Sequence, residues 1–393
     1  MFAGLLKVIG TTSFDDLPDT VSEHAKAVGI TEVRIYVGDV ERRGLHLIAG
    51  ALTAPSVDRV IGIQDTEGGR AYQYGEIRPV HTPPAAGAAY WVPMFNGKER
   101  IGLMFVAATR DSAEVRENAT ALATLVALSV STKRGHSDTY ARLNRTQPML
   151  VSAEAQWQLI PPRTYTDSRV AVCATLEPSY RVSGDAYDYA TAGLRVYLSI
   201  FDAMGHDTAA GQTAALAVAA SRSARRRGAG IAETAGVIER ELAGQFDDVR
   251  YATAVLAFLD TRTGLLTWAN FGHHPPLLVR GSDAVVLRCK PAYPLGTGLG
   301  DLETTLCHQQ LEPGDRVVLY TDGITEARRP HGQEFGLDRF ISVLTRYPAD
   351  GLSVSETVRR FSHAFLDYHH GELHDDATVL LCEWLGAGPP LGA

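Results

Sequence analysis

The sequence predicts a two-domain protein of the α+β class. The chain has 393 residues, which exceeds the length of one typical domain. Its strand-like segments fall into two groups, and each group is accompanied by long helical segments. A polar stretch between the groups, Gly135–Gln147, ends at Pro148, where a helix does not easily continue because proline pushes the preceding residue out of the α region. We predict a first domain at 1–133, a helical linker at 134–162, a second domain at 163–385 and a disordered tail at 386–393.

The composition is that of a soluble globular protein, with 45% hydrophobic and 21% charged residues. The formal net charge of −8 argues against a general nucleic-acid binder, which would present a basic face. The longest nearly uncharged helical stretch, Ala119–Thr132, is shorter than the ~20 residues that a transmembrane helix needs. The N-terminus lacks the features of a signal peptide. We therefore expect a cytoplasmic protein that binds neither nucleic acid nor membrane.

The cysteines predict structural thiols. They are widely separated, show no spacing typical of a zinc site and lie in apolar surroundings: Cys173, Cys289, Cys307 and Cys382. We expect them to be buried thiols in a reducing cytosol.

In the first domain, apolar residues at helical spacing predict one helix over Phe2–Gly29. Strand-like segments follow at Glu32–Val37, Leu45–Ala49, Ala88–Phe95 and Ile101–Ala107. Asn96-Gly97 between the last two predicts a hairpin turn. A long helix is predicted over Ser112–Lys133. This layout resembles a GAF-type sensory domain, with a PAS-type domain as the alternative, and such a domain would respond to an unidentified small-molecule or protein signal.

The linker contains one predicted helix, Met149–Ile160, which ends at Pro161. We expect one apolar face on it, made of Met149, Leu150, Ala153, Trp157 and Ile160. This helix is interpreted as the first helix of the second domain and also as the element that transmits a signal from the sensor. The two interpretations are compatible.

The second domain shows paired strands with inserted helices. The strands are predicted at Val170–Leu176, Leu194–Phe201, Ala252–Leu259, Leu266–Ala269, Pro276–Val279, Ala284–Arg288, Arg316–Thr321 and Ala377–Glu383. The helices are predicted at Ala209–Arg227, Ile231–Phe246, Gly336–Tyr347 and Ser353–Tyr368. Runs of strands with inserted helix pairs favour an α/β sandwich over a parallel βαβ fold. The arginine-rich run Arg222–Arg227 is expected to be the exposed end of its helix.

Acidic residues occur at the ends of several predicted strands or beside glycines, as expected for one shared pocket. They are Asp185 and Asp188 in SGDAYDY, Asp202 in DAMGHD, Asp322 in YTDGI, and Asp375 and Asp376 in HDDAT. Hard divalent cations prefer oxygen ligands, whereas zinc or copper would favour histidine or cysteine. The pattern therefore predicts a site for Mg²⁺ or Mn²⁺.

Five segments in this order resemble a known family. SGDAYDY resembles the GGDFYD motif of bacterial PPM-type serine/threonine phosphatases of the SpoIIE and RsbU class, and DAMGHD resembles their DxxGHG. NFGHHPP resembles NAGHPP, YTDGITEAR with the following EFG matches YTDG(V/I)TEA…EFG, and HDDAT matches DD(I/M)T. Short motifs are weak signals alone, but five in order are specific. This chain departs from the pattern at Ser183, Ala203, Asp207 and Phe271, none of which removes a carboxylate.

The resemblance implies a C-terminal PPM-type αββα sandwich that binds two divalent metal ions, Mn²⁺ or Mg²⁺. It implies that Asp202 bridges both ions, that the carbonyl of Ala203 completes one coordination shell, and that Asp185, Asp322 and Asp375 bind one ion or the other. Asp376 is a further metal-site candidate. Auxiliary positions are Asp188, Gly205, His206 and Gly323. For Asp188 and Asp376 an ordinary helix-capping role is an equal alternative, and for His206 and His273 a structural role is favoured over acid–base catalysis.

The resemblance also implies hydrolysis of phosphoserine or phosphothreonine in a protein. The expected substrate is a phosphorylated STAS-type anti-sigma-factor antagonist in a partner-switching pathway, and the expected assembly is a homodimer. Two alternatives remain open: a catalytically weak pseudophosphatase that sequesters a partner, and a ligand-sensing binding protein in which the sensor domain is the main activity.

Overall fold

The computed structural model describes most of the chain. The described residues are 2–51, 53–81, 87–177, 180–205, 207–245, 250–299, 303–327, 332–349, 352–370, 373 and 375–388. The chain forms two compact units, Met1–Pro148 and Met149–Ala393. The division at Pro148 splits the predicted linker, because its first helical segment packs on the first unit and its second on the second unit. The predicted tail lies largely outside the described residues.

The first unit contains a single antiparallel sheet with helices on both faces. Its helices are α1 (Phe2–Ile9), α2 (Leu17–Ala25), α3 (Glu67–Tyr74), α4 (Ala113–Lys133) and α5 (Asp138–Asn144), with short 3-10 turns at Lys26–Val28 and Arg134–His136. Its strands are β1 (Ile30–Gly38), β2 (Gly44–Ile48), β3 (Val60–Gly62), β4 (Arg78–Pro79), β5 (Ala88–Asn96) and β6 (Glu99–Ala108). The strand order is β3-β2-β1-β6-β5-β4.

The four strands predicted in this unit are confirmed, whereas the single long N-terminal helix is wrong. The chain instead forms α1 and α2, and Gly29 ends the second helical segment in the left-handed region (φ 78°). The predicted hairpin forms between β5 and β6, and Gly97 provides the left-handed residue of its turn (φ 62°). The six-stranded sheet with flanking helices is consistent with a sensor domain, and both the sensory role and the GAF-like identity remain predictions.

The second unit begins with α6 (Val151–Leu159). Its further helices are α7 (Thr208–Arg226), α8 (Ile231–Gln245), α9 (Asp322–Thr325), α10 (Leu337–Ala349) and α11 (Val354–Tyr368). Its strands are β7 (Thr164–Thr166), β8 (Val170–Glu177), β9 (Asp185–Ala192), β10 (Arg195–Ala203), β11 (Ala252–Asp260), β12 (Leu265–Phe271), β13 (Leu277–Arg280), β14 (Asp283–Val286), β15 (Cys307–Gln310), β16 (Arg316–Tyr320) and β17 (Ala377–Trp384).

These elements form an αββα sandwich, which confirms the predicted fold class. One sheet has the order β15-β12-β11-β10-β9 and the other β14-β13-β16-β17-β8-β7. Apolar side chains from the inner faces, such as Ile200, Leu319 and Leu380, form the central core. The helices α7 and α8 cover the outer face of the first sheet, and α10 and α11 cover that of the second. Because β8 is covered on both faces, all eight of its residues are buried.

The apolar face predicted for α6 is confirmed in part, since Ala153 is buried and Trp157 and Ile160 are half-buried. Its buried residues are Ala153 and Gln156. Leu150, just before the helix, is 54% exposed and Val151 is 88% exposed. The helix packs against α7, and its buried side adds the polar Gln156, which hydrophobic periodicity alone did not indicate.

Two of the four cysteines are not thiols. Cys289 and Cys307 form a disulfide that closes a segment with a sequence separation of 18, so the prediction is wrong for this pair. Cys173 and Cys382 are free and buried, as predicted. The paired cysteines are far apart in sequence and have no recognisable spacing, so only the fold shows that they meet.

Within the described residues, no helix combines the length and apolar character required to cross a membrane.

Candidate active site

Two of the predicted aspartates lie opposite each other on neighbouring strands. Asp185 begins β9 and Asp202 lies one residue before the end of β10, and the two residues are paired in the antiparallel register. The main chain turns sharply here, with Gly205 in the left-handed region (φ 93°). Gly184 lies so close to this turn that a Cβ atom would be 2.9 Å from the carbonyl oxygen of Ala203. The carbonyl predicted as a metal ligand is therefore held at the same strand end.

Three further predicted aspartates come from the second sheet. Asp322 begins α9 directly after β16, and Asp375 and Asp376 precede β17. The carboxylate of Asp376 accepts a hydrogen bond from the N–H of Gly184 (2.6 Å), which ties the two sheets together at the site. Gly323 permits this arrangement, because a Cβ atom there would be 1.8 Å from the carbonyl oxygen of Asp376.

The electrostatics show that these carboxylates share one site. Burial, and then the charges of Asp322, Asp375 and Asp376, raise the pKa of Asp202 to about 7. Burial, Asp202 and Asp376 raise the pKa of Asp185 well above its usual range, although a hydrogen bond from the Thr321 hydroxyl (2.7 Å) opposes the rise. Like charges in a poorly solvated site disfavour ionisation. The cluster is therefore poorly stabilised without compensating positive charge.

The oxygen donors fit hard divalent ions. Among the described residues, one trio of histidine, cysteine or acidic side chains has all its ligand atoms within 4.8 Å of one another. It consists of His274, Asp322 and Glu326. The other predicted aspartates do not form so tight a group. Mg²⁺ keeps several waters and uses only one or two carboxylates, so widely spaced carboxylates suit such an ion. The candidate metal ligands are therefore mostly carboxylates, and the imidazole of His274 lies at the periphery of the site.

Sequence reasoning missed His274 and Glu326. His274 stacks on Tyr320 with ring centroids 5.7 Å apart, and its Nε2 lies 4.0 Å from a carboxylate oxygen of Glu326. Glu326 follows Asp322 by one helical turn. The i to i+4 spacing of two acidic residues in YTDGITE was the available sequence signal.

Sequence reasoning also missed Gln156, the buried side chain that joins α6 to the site. Its amide N–H donates to the carbonyl oxygens of Ser183 (2.9 Å) and Asp185 (2.8 Å), and its carbonyl accepts from the N–H of Ser183 (3.0 Å). The Ser183 hydroxyl in turn accepts from the N–H of Asp185 (2.9 Å). The serine that departs from the family motif therefore holds the turn before Asp185.

Asp188 is not part of the cluster. Strand residues three apart point to opposite faces, and the carboxylate of Asp188 accepts hydrogen bonds from Arg222 (2.7 Å) and Arg225 (2.9 Å) on α7. The expectation that this arginine run is an exposed helix end is therefore wrong for those two residues. Their side chains are 20% and 10% exposed.

Asp207 has a structural role at the start of α7. Its carboxylate caps the helix by accepting from the N–H of Ala210 (2.8 Å). This bond and the nearby Arg250 lower the pKa of Asp207, which keeps the cap ionised. The departure from glycine at this position thus supports the helix that follows Asp202. His206 lies outside the described residues.

His273 is a buried structural residue rather than an acid–base group. Its Nε2 lies 3.0 Å from the carbonyl oxygen of Tyr320 and its Nδ1 lies 2.7 Å from the Thr253 hydroxyl. Since a carbonyl only accepts, Nε2 carries the proton and Nδ1 accepts from Thr253. Burial and the neighbouring His274 lower the pKa of His273 to about 3, so the ring is neutral.

Comparisons with known proteins agree with this geometry. Residues 192–385 match the family model of Stage II sporulation protein E (SpoIIE). Protein IcfG of Synechocystis is 27% identical over 135 residues, which are 34% of this chain and 21% of IcfG. Phosphoserine phosphatase RsbU of Bacillus subtilis is 23% identical over 234 residues, 59% of this chain and 68% of RsbU. The SiaA-PP2C domain of Pseudomonas aeruginosa superposes with a TM-score of 0.51 at 22% identity, over 59% of this chain and 94% of that domain.

The αββα sandwich gives the second unit a PP2C-like fold, and the acidic cluster lies at the end of its strands. Residues 192–385 of this unit are those that match the SpoIIE family. The match to IcfG spans only about a fifth of that relative's length.

Proposed function

We propose that this protein is a metal-dependent protein serine/threonine phosphatase. The observation that carries the proposal is the convergence of carboxylates from both sheets, which raises the pKa of Asp202 to about 7. Such a cluster favours bound cations. Bound divalent ions, Mn²⁺ or Mg²⁺, would supply a water activated toward hydroxide and neutralise charge on the phosphoryl group.

The side chains of the site would have different roles. Asp202, Asp185, Asp322 and Asp375 would hold the ions, with the carbonyl of Ala203 as a further ligand and Asp376 in support. Asp376 also fixes the Gly184 turn through its hydrogen bond (2.6 Å), and Thr321 fixes the carboxylate of Asp185 (2.7 Å). No serine or cysteine nucleophile is required in this scheme.

The test is hydrolysis of p-nitrophenyl phosphate by wild type and Asp202→Asn, with and without Mn²⁺. We expect metal-dependent activity in wild type and a loss of at least about 10²-fold in the variant, because metal assistance is worth several kcal/mol. Asp283→Asn, at an exposed aspartate of β14, is the matched control and should retain activity. Equal activity in wild type and Asp202→Asn would refute the proposal.

Metal binding gives a second, independent measurement. Mn²⁺ should raise the melting temperature of wild type, since a ligand that binds only the folded state stabilises it. Asp202→Asn should show a smaller rise. A stable wild-type protein that binds Mn²⁺ but hydrolyses nothing would instead support the pseudophosphatase alternative.

For the substrate, we propose a phosphorylated STAS-type anti-sigma-factor antagonist, supported by the similarity to the phosphoserine phosphatase RsbU. For the assembly we propose a homodimer, supported by the exposed apolar residues Leu150 and Val151 at the start of α6. Release of phosphate from a phosphorylated STAS protein and light scattering of Leu150→Ser test the two proposals separately. A negative result in either test would not contradict the proposed phosphatase activity.

A further inference from the structure

A small cavity lies beneath the helices that cover the five-stranded sheet, on the outer face of that sheet. Its volume is about 40 Å³. Apolar side chains of β10, β11 and α8 line part of it, and its polar lining consists of Asp188, Arg195, Ser199, Ser221, Arg225 and Thr234. The carboxylate cluster lies at the strand ends and does not include these residues.

Arg225, which lines this cavity, has N–H groups without a hydrogen-bond acceptor in the described part of the chain. Its side chain is 10% exposed, and its Nη2 donates to Asp188 (2.9 Å). Its Nε and Nη1 are buried and have no hydrogen-bond acceptor among the described residues. A buried donor without an acceptor costs about 1–3 kcal/mol, and more when the group is charged. These N–H groups therefore favour an added acceptor in the cavity.

The local charge is also unbalanced. Asp188 is the acceptor for two guanidinium groups, since Arg222 donates to it through Nε (3.1 Å) and Nη2 (2.7 Å). Arg195 adds a third cation at the exposed rim, stacked over the ring of Phe258 at 5.3 Å. Burial lowers the pKa of Arg225, Asp188 raises it, and Arg222 and Arg226 lower it further. An anion would offset this excess positive charge.

The start of α8 forms part of the cavity wall. Gly230 lines the cavity and precedes the helix, and its carbonyl accepts the N–H of Thr234 (2.9 Å). A helix start carries partial positive charge and unpaired N–H groups. Since one buried water needs roughly 10–15 Å³, the cavity has room for about three waters or one small ion of similar size.

We infer that this cavity binds a small tetrahedral oxyanion, a phosphate group or its sulfate analogue, that accepts hydrogen bonds from Nε and Nη1 of Arg225. The group is either free inorganic phosphate or the phosphate end of a small ester that enters beside Gly230. The inference concerns binding and does not depend on the proposed phosphatase activity.

The test is calorimetric titration of the full chain with inorganic phosphate in the presence of EDTA, so that phosphate cannot bind through metal ions at the carboxylate cluster. Three proteins are compared: wild type, Gly230→Asp and Gly230→Asn. A Cβ atom at Gly230 meets no atom within 4 Å, and aspartate and asparagine are both good helix caps. The two variants therefore differ by one negative charge at the start of α8, beside the cavity.

We expect wild type and Gly230→Asn to bind phosphate with similar affinity, and Gly230→Asp to bind at least about tenfold more weakly, because like charges a few Å apart repel by more than 1.4 kcal/mol. Arg225→Lys should also lose binding, since lysine keeps the charge but lacks the guanidinium donors. Circular dichroism and melting temperatures establish that each variant is folded.

No binding by wild type, equal binding by all proteins, or equal loss in both Gly230 variants would overturn the inference. A parallel titration with glycerol 3-phosphate identifies the source of the group. Binding of both compounds supports a small phosphate ester as ligand, and binding of inorganic phosphate alone supports the free ion.

Discussion

At the scale of single residues, burial decides the protonation states in and around the site. His273 and Asp202 respond in opposite directions, because burial disfavours the charged form of each. The pKa of the imidazole falls to about 3 and that of the carboxyl rises to about 7. The histidine is thereby kept as a neutral hydrogen-bonding group, whereas the aspartate is ready to exchange its proton for a metal ion.

His273 should therefore make the folded protein sensitive to acid. The unfolded histidine takes up a proton near pH 6.5 and the folded one only near pH 3, so stability is full above pH 6.5 and falls as the pH drops toward 3. The expected loss from this residue is about 1.4 kcal/mol per pH unit. Comparing the pH dependence of the free energy of unfolding between wild type and His273→Gln isolates the contribution of this histidine. Nitrogen NMR should show the Nε2–H tautomer in wild type down to pH 5, and a titration near pH 6.5 would contradict this prediction.

At the scale of elements, α6 is connected to the site by hydrogen bonds rather than by an apolar face. Gln156 holds three main-chain groups on either side of Gly184. The turn that it holds contains the N–H donor for Asp376 and leads directly into Asp185. A change in the position of α6 would thus alter the backbone from which the first aspartate extends.

Replacing Gln156 by leucine should weaken metal binding. The change preserves approximate volume but leaves three buried main-chain groups unpaired, at about 1–3 kcal/mol each. We expect at least a tenfold rise in the Mn²⁺ concentration needed for half-maximal hydrolysis of p-nitrophenyl phosphate. Gln158→Leu, on the exposed side of the same helix, is the control and should match wild type. A variant that is less stable but has unchanged Mn²⁺ dependence would show that Gln156 has no positioning role.

The elements also show what could be predicted from the sequence. Apolar alternation predicted β10, since Val196, Leu198 and Ile200 all face the core, and motif order predicted the aspartates that meet at its end. The strand β9 was missed because Asp185 and Asp188 interrupt its apolar residues, although five of its eight residues are buried. Contacts such as Gln156 with Ser183 and Asp188 with Arg225 join residues 27 and 37 positions apart. They have no local periodicity, so only the packed fold shows them.

At the scale of the whole molecule, every residue described for the carboxylate cluster and for the oxyanion cavity belongs to the second unit, Met149–Ala393. That unit has its own cores on both faces of each sheet. The first unit has a separate core around α4 and its six-stranded sheet. Each unit therefore meets the usual requirement for folding alone.

This organisation predicts different outcomes for two truncations. A fragment of residues 149–393 retains α6, and we expect it to fold and to hydrolyse p-nitrophenyl phosphate with Mn²⁺. A fragment of residues 163–393 begins where the sequence alone placed the domain boundary, but it lacks Gln156. We expect it to lose most activity, because the Ser183 and Asp185 main-chain groups lose their hydrogen-bonding side chain.

The comparison has an internal control, which is Gln156→Leu within the 149–393 fragment. If α6 acts through this side chain, the variant fragment should need as much Mn²⁺ as the 163–393 fragment, whereas Gln158→Leu in the same fragment should have no effect. Full activity of 163–393 would instead mean that the aspartate turn is held without α6. In that case any influence of the first unit on the site would have to act through contacts other than those of Gln156, and the role assigned to this helix would be wrong.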